Sequence, residues 1–112
     1  MRNFRELKIW KQGMEIAKSV YSILPGLPDY EKFGMQIQLA KSSASIPSNI
    51  AEGCAKSSNK DFKRYLEISL GSAYELETHL ILAWEVHEIR TDLILSKVHE
   101  EQKMLSSLIN KL

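Results

Sequence analysis

The sequence predicts an all-α fold, an antiparallel up-down-up-down four-helix bundle. Three observations predict it. Apolar residues recur at steps of three and four in four separate stretches. No stretch keeps the period-two alternation of a strand, and no Asn-Gly or Asp-Gly pair offers a hairpin turn. Connections of a few residues between long helices favour antiparallel neighbours. With 112 residues, 44% hydrophobic and 26% charged, the chain reads as one globular domain over residues 1–112.

The first helix is expected to open at Asn3, a cap residue with Glu6 three positions on. Phe4, Leu7, Trp10, Met14, Ala17, Tyr21 and Leu24 then fall on one face. Pro25, Gly26, Leu27 and Pro28 end it, because two prolines around a glycine cannot continue a helix.

The second helix is expected to start near Asp29 and to carry Phe33, Ile37, Leu39, Ala44, Ile46 and Ile50. It ends at Gly53 or a few residues beyond. Pro47 inside it removes one donor and frees the Ser43 carbonyl, which costs roughly 3 kcal/mol in a helix interior. Ile46 and Ile50 keep the phase set by Leu39, so a kink near Pro47 is expected, with Ser43 or a neighbouring hydroxyl rebonding the carbonyl. The alternative is a break, with Ser45 or Ile46 capping a new helix and Pro47 in its first turn. Ser42, Ser43 and Ala44 here, and Ser69, Gly71, Ser72 and Ala73 further on, are small enough for two backbones to approach closely. Asn49 and Glu52 are the polar members of this crossing. They are expected to satisfy backbone groups around the kink or to pair with side chains such as Arg64; a ligand or catalytic carboxylate is the competing reading.

Ser58 and Asp61 form the cap of the third and longest helix. Phe62, Leu66, Ser69, Ala73, Leu76, Leu80, Ala83 and His87 make a heptad seam, with Leu70, Tyr74, Ile81 and Trp84 as a second stripe beside it. The two stripes cover about half the circumference, whereas a two-layer bundle buries only about a third. The surplus points to Leu70, Tyr74, Ile81 and Trp84 as an interface with a second neighbour or another subunit. Thr91 and Asp92 then start the fourth helix, with Ile94, Val98, Leu105, Leu108 and Leu112 in register.

Recognisable catalytic chemistry is missing. A di-iron bundle needs Glu three residues before His, but Leu76, Trp84 and Ser96 precede His79, His87 and His99 at that spacing. One cysteine gives no zinc spacing, and five dispersed glycines give no phosphate loop. Glu75 and Glu77, two apart, point to different sides of a helix and read as a solvated or interface pair. Cys54 reads as a small apolar residue near a helix end. The expectation is a protein that is not an enzyme, with no cofactor, no metal and no membrane segment, located in the cytoplasm; Leu80 to Trp84, the longest apolar run, is far too short to span a bilayer.

Charge is more informative. Net charge is only +1, but residues 1–24 carry five basic and two acidic groups, and residues 61–91 three basic and six acidic. Opposite signs on different helices suit contacts within the bundle or head-to-tail around a ring. Lys56, Lys60, Lys63 and Arg64 gather around Phe62 in the turn between helices two and three, and Arg5, Lys8 and Lys11 can add to them. Clustered cations with serine and asparagine donors suit phosphate; a solvated helix start is the competing reading.

Several long motifs carry a family resemblance. "SIPSNIAEG" (Ser45 to Gly53) follows Gln38-Leu39-Ala40-Lys41 and precedes "YLEISLGSAYELETHL" (Tyr65 to Leu80). The opening "FRELKIWKQGMEIAKSVY" and the residues Pro28, Glu31, Phe33 and Gly34 complete the pattern. Nearly the whole chain resembles the 23S rRNA intervening sequence proteins, also called the four-helix bundle protein family. The matching motif residues include Ser45, Pro47, Asn49, Glu52, Gly53, Gly71, Ser72, Glu75 and Glu77. The resemblance implies a closed up-down bundle and a ring-like homo-oligomer, typically a pentamer. Some members are encoded within ribosomal RNA genes. A related branch, the accessory proteins of diversity-generating retroelements, forms a basic pentameric barrel that engages a reverse transcriptase and nucleic acid. No enzymatic activity is established for the family. This chain has Ala40 and Lys41 where adjacent basic residues are usual, and Lys56 where arginine is common, so its basic character is diluted. The function implied is a non-enzymatic RNA- or DNA-associated accessory protein, with Lys41 among the candidate contacts; the alternative is a protein-interaction scaffold without nucleic-acid affinity.

Overall fold

The computed structural model describes residues 2–112 and contains four α-helices and, among those residues, no strand. They are α1 (Lys8–Ile23), α2 (Met35–Cys54), α3 (Asn59–His87) and α4 (Asp92–Asn110), with single 3-10 turns at Phe4–Glu6, Leu24–Gly26 and Asp29–Glu31. α1 packs on α2 and α4, and α3 packs on the same two, compatible with a four-helix bundle. The Arg2 amide bonds the Cys54 carbonyl at 3.4 Å, so the start of the chain lies beside the end of α2.

α3 follows the expected pattern closely. Ser58 Oγ accepts from the Asp61 amide at 3.1 Å, and Phe62, Leu66, Ser69, Ala73, Leu76, Leu80 and Ala83 are all buried. Each large apolar side chain so enclosed contributes about 1.5–3 kcal/mol. The seam stops at His87, whose backbone leads into left-handed Glu88 at φ 57°.

α1 departs from expectation twice. Asn3 caps only the 3-10 turn, and extended Leu7 separates that turn from α1. The buried face is Ile9, Gly13, Ile16 and Val20, while Met14 and Tyr21 face solvent and Phe4, Leu7 and Trp10 pack on the core's flank. The cause is Gly13: lacking a side chain, it lets α1 sink until an added Cβ would lie 3.3–3.4 Å from Ile46 and Pro47.

α2 starts at Met35 rather than near Asp29, because Gly34 lies outside helical geometry. Phe33, Ile37 and Ala44 are consequently exposed, and Leu39, Ile46 and Ile50 form the buried row. The helix runs continuously through Pro47, so the break is not adopted. The hydroxyls do not serve the Ser43 carbonyl: Ser42 donates to Gln38, Ser43 to Ala40, Ser45 to Lys41 and Ser48 to Ala44. Asn49 Nδ2 donates to the Ser45 carbonyl at 2.8 Å, one turn back on its own helix, and not to the carbonyl that Pro47 frees. Glu52 is exposed and has no hydrogen bond to α3. Ser69 Oγ crosses from α3 to the Ile46 carbonyl at 2.9 Å. Gly71 stays outside this crossing, with open space where a Cβ would stand.

In α4, Ile94, Val98 and Leu105 are buried as expected, but Leu112 is exposed and Ile109 takes the inner position. Thr91 stands at the N-cap position, where its carbonyl accepts from the Leu95 amide at 2.8 Å, but its side chain makes no cap bond. Its hydroxyl is buried and donates to the Leu80 carbonyl at 3.0 Å, closing the α3–α4 connection.

The far end is tied by His87 Nε2, 2.7 Å from Glu31 Oε2, while Glu31 Oε1 accepts from the Met35 amide at 3.1 Å. The imidazole bond, followed by that amide, holds the Glu31 carboxyl below its ordinary value. A depressed carboxyl favours the fold above about pH 4.5, and that contribution disappears as pH falls through the folded value. In His87→Ala, Glu31 is expected to titrate nearer 4.5 by carbon NMR, and stability to depend less steeply on pH in the acid limb. An unmoved Glu31 titration would assign the effect to the Met35 amide alone.

Candidate nucleic-acid interface

The basic residues near the start of the chain meet those of the α2–α3 turn through Arg2. Its Nη1 donates to the Lys56 carbonyl at 3.3 Å, its Nη2 donates to Asn59 Oδ1, and the guanidinium lies 4.0 Å over the Phe62 ring. Residues separated by more than fifty positions are thereby clasped together. Arg5 lies 4.4 Å over Phe4, which stands edge-on to Trp10. Lys56 Nζ is 5.2 Å from the Tyr65 ring centroid.

These cations rest on aromatic faces rather than on acids. Among the described residues, Arg2, Arg5, Lys8, Lys11, Lys56, Lys60, Lys63 and Arg64 form no ion pair; the pairs that exist are Lys18–Glu15, His79–Glu75, His87–Glu31, Arg90–Asp92 and His99–Glu77. Arg5 and Lys56, held by cation–π contact, keep their donors free for phosphate, whereas Arg2 spends donors on Lys56 and Asn59 and positions the cluster. Glu6, Glu52 and Asp61 share this end and keep its net charge modest. Asp61 also complements the amino-terminal dipole of α3.

Not every candidate is gathered. Lys41 lies thirteen residues before Cys54 on α2, about 20 Å along the helix, and stands apart from the cluster. Arg2 was not anticipated, and no local spacing announces a residue whose partners are 54 and 57 positions away. Gly53, by contrast, is legible as structural: a Cβ there would fall 2.7 Å from Tyr65 Cβ.

The two motif carboxylates do separate. Glu75 is 3.6 Å from His79 on the same helix. Glu77 accepts from Gln102 Nε2 at 2.8 Å and lies 3.4 Å from His99, linking α3 to α4. Ser72 and Leu70 are half-buried, whereas Tyr74, Ile81 and Trp84 are exposed in the single chain, with Arg90 lying 5.5 Å over Trp84. A second apolar patch, lining a groove of about 520 Å³, combines Tyr21, Leu24 and Pro25 with Phe33, Ile37 and Ala40.

Cys54 is buried, and burial pushes its thiol pKa up, which suits packing rather than reactivity. No group of three or more His, Cys, Asp or Glu among the described residues is placed to hold a metal. Among the described residues, no helix is long and apolar enough to cross a membrane.

Comparison with known proteins agrees with the all-helical fold. No curated protein matches the sequence. A crystal structure of a protein of unknown function from the S23 ribosomal protein family of Bacteroides thetaiotaomicron VPI-5482 is similar at a TM-score of 0.82. The two are 30% identical over 90% of this chain and 97% of that one. The family model for the 23S rRNA-intervening sequence protein matches residues 5–110. By that match the chain belongs to the 23S rRNA-intervening sequence protein family.

Proposed function

We propose that this protein is a non-enzymatic helical bundle that assembles into a ring of identical subunits and associates with RNA or DNA through its basic end. The observation that carries the nucleic-acid reading is the cluster of cations around Arg2 and Lys56, free of carboxylate partners. Each can neutralise a phosphate and release a counterion. The aromatic rings beneath them keep the cations spread over the surface, and Ser57, Ser58 and Asn59 add hydrogen-bonding groups suited to backbone oxygens.

Assembly is supported by two dissimilar apolar patches, the α3 stripe and the α1–α2 groove. A head-to-tail ring requires two different surfaces that fit each other, whereas a two-fold dimer requires one that fits itself. The excess of positive charge at the start of the chain and of negative charge on α3 favours the same arrangement.

Fluorescence anisotropy with a structured RNA and a single-stranded DNA tests the reading. Binding at low salt is expected to weaken with a log–log slope of about −2 to −3 for each subunit engaged, as for three or four phosphate contacts. Reversing Lys56, Lys60 and Lys63 to glutamate is expected to flatten that slope by about 2. Absence of binding to either nucleic acid at low salt would overturn the reading. Capture of one stoichiometric protein partner after nuclease treatment would then favour the scaffold.

A further inference from the structure

Glu101 is the one charged side chain buried in the core among the described residues. It is 0% exposed, and neither carboxyl oxygen has a hydrogen-bond partner. Its place is specific. A Cβ on Gly13 of α1 would lie 3.3 Å from Glu101 Oε2, 3.3 Å from Ile46 Cγ2 and 3.4 Å from Pro47 Cβ. Glu101 on α4 therefore stands beside Gly13 of α1, at a point that the side chains of Ile46 and Pro47 on α2 also approach, and no donor reaches either carboxyl oxygen.

An ionised carboxylate without donors is costly in such a site, so the acid keeps its proton. A protonated acid is itself a donor. Pro47 leaves the Ser43 carbonyl, one turn back along α2, without its helical amide. Residues of three helices thus surround one point beside Gly13: a glycine that admits the acid, a buried acid that carries a proton, and a proline whose turn frees an acceptor.

Lys11 and Glu15 on α1, Lys41 and Glu52 on α2 and His99 on α4 are exposed, Glu77 on α3 and Lys97 on α4 are half-buried, and none of them bonds the Glu101 carboxyl. Burial alone raises the Glu101 pKa, to about 8, with no charged neighbour contributing.

We propose that Glu101 is a proton-held latch between Gly13 and Pro47, and that its ionisation loosens α4 from α1 and α2, so the bundle opens as pH rises. Between the unfolded value of 4.5 and about 8 the folded chain holds a proton that the unfolded chain has lost. Stability therefore falls with rising pH across that window and levels off above it.

Carbon NMR of the Glu101 carboxyl in the full chain, native-state hydrogen exchange and denaturant unfolding from pH 5 to 9 test this, with Glu101→Gln as the neutral isostere. The carboxyl is expected to titrate near 8. The unfolding equilibrium constant is expected to rise up to about tenfold per pH unit across the window, and Glu101→Gln is expected to remove that rise. Exchange at the Gly13 and Ile46 amides should accelerate with pH beyond the base-catalysed increase that the variant also shows. A midpoint in the ordinary carboxylate range overturns the proposal. So does a raised midpoint with exchange and stability that follow the variant. If the variant does not fold, the wild-type titration and exchange decide.

Discussion

Gly53→Ala is expected to destabilise the protein, while Gly71→Ala is expected to stabilise it. Both glycines lie within helices and both belong to the motifs of the sequence. A Cβ on Gly53 would meet Tyr65 Cβ at 2.7 Å, Phe62 Cδ1 at 3.3 Å and the Phe62 carbonyl at 3.4 Å. Tyr65 Cβ is fixed to its backbone and cannot swing away, so α2 and α3 must separate locally. Overpacking of that kind costs about 1–3 kcal/mol, and up to about 1 kcal/mol of helix propensity gained from alanine offsets it. At Gly71 no atom lies within 4 Å of the added methyl. Only the propensity gain remains there, about 0.5–1 kcal/mol. Denaturant midpoints at unchanged slope read both effects. Two stabilised variants would show that α2 and α3 do not depend on their approach at Gly53.

The contrast marks where the sequence was legible. α3 could be read because its cap, Ser58, and its seam from Phe62 to Ala83 are both local signals. On α1 the spacing marks one face, through Met14 and Tyr21, while Ile9, Gly13, Ile16 and Val20 form another. Packing selected the other, because Gly13 contributes closeness instead of apolar area. The start of α2 was misplaced for a related reason. Glu31 serves Met35 while held by His87, a residue 56 positions away. Glu101 stands between Val98 and Leu105 in the buried register of α4, yet a carboxylate is ordinarily a surface residue. At the basic end, Lys56, Lys60 and Lys63 were legible because one turn gathers them. Arg2 was not, because tertiary folding alone brings it there.

The remaining large effect concerns assembly. Light scattering of the dilute wild-type protein is expected to give a mass several times that of one chain. A double change, Tyr74→Glu with Ile81→Glu, is expected to give a folded monomer. Tyr74 is 54% exposed and Ile81 39% exposed in the single chain, so glutamates there remain solvated and the helical melt should barely move. Seven residues apart, the two positions lie one above the other on α3. An interface that covers them would have to bury two adjacent carboxylates. An unpaired buried charge costs several kcal/mol, and about 3 kcal/mol already weakens association more than a hundredfold. The measurement separates stability from assembly because the same substitutions are harmless in one state and severe in the other. If the wild-type chain is a monomer in dilute solution, Tyr74 and Ile81 cover nothing. A lone basic end would then be left with few phosphate contacts, and the shallow salt slope of a single subunit should replace the steeper one of a ring.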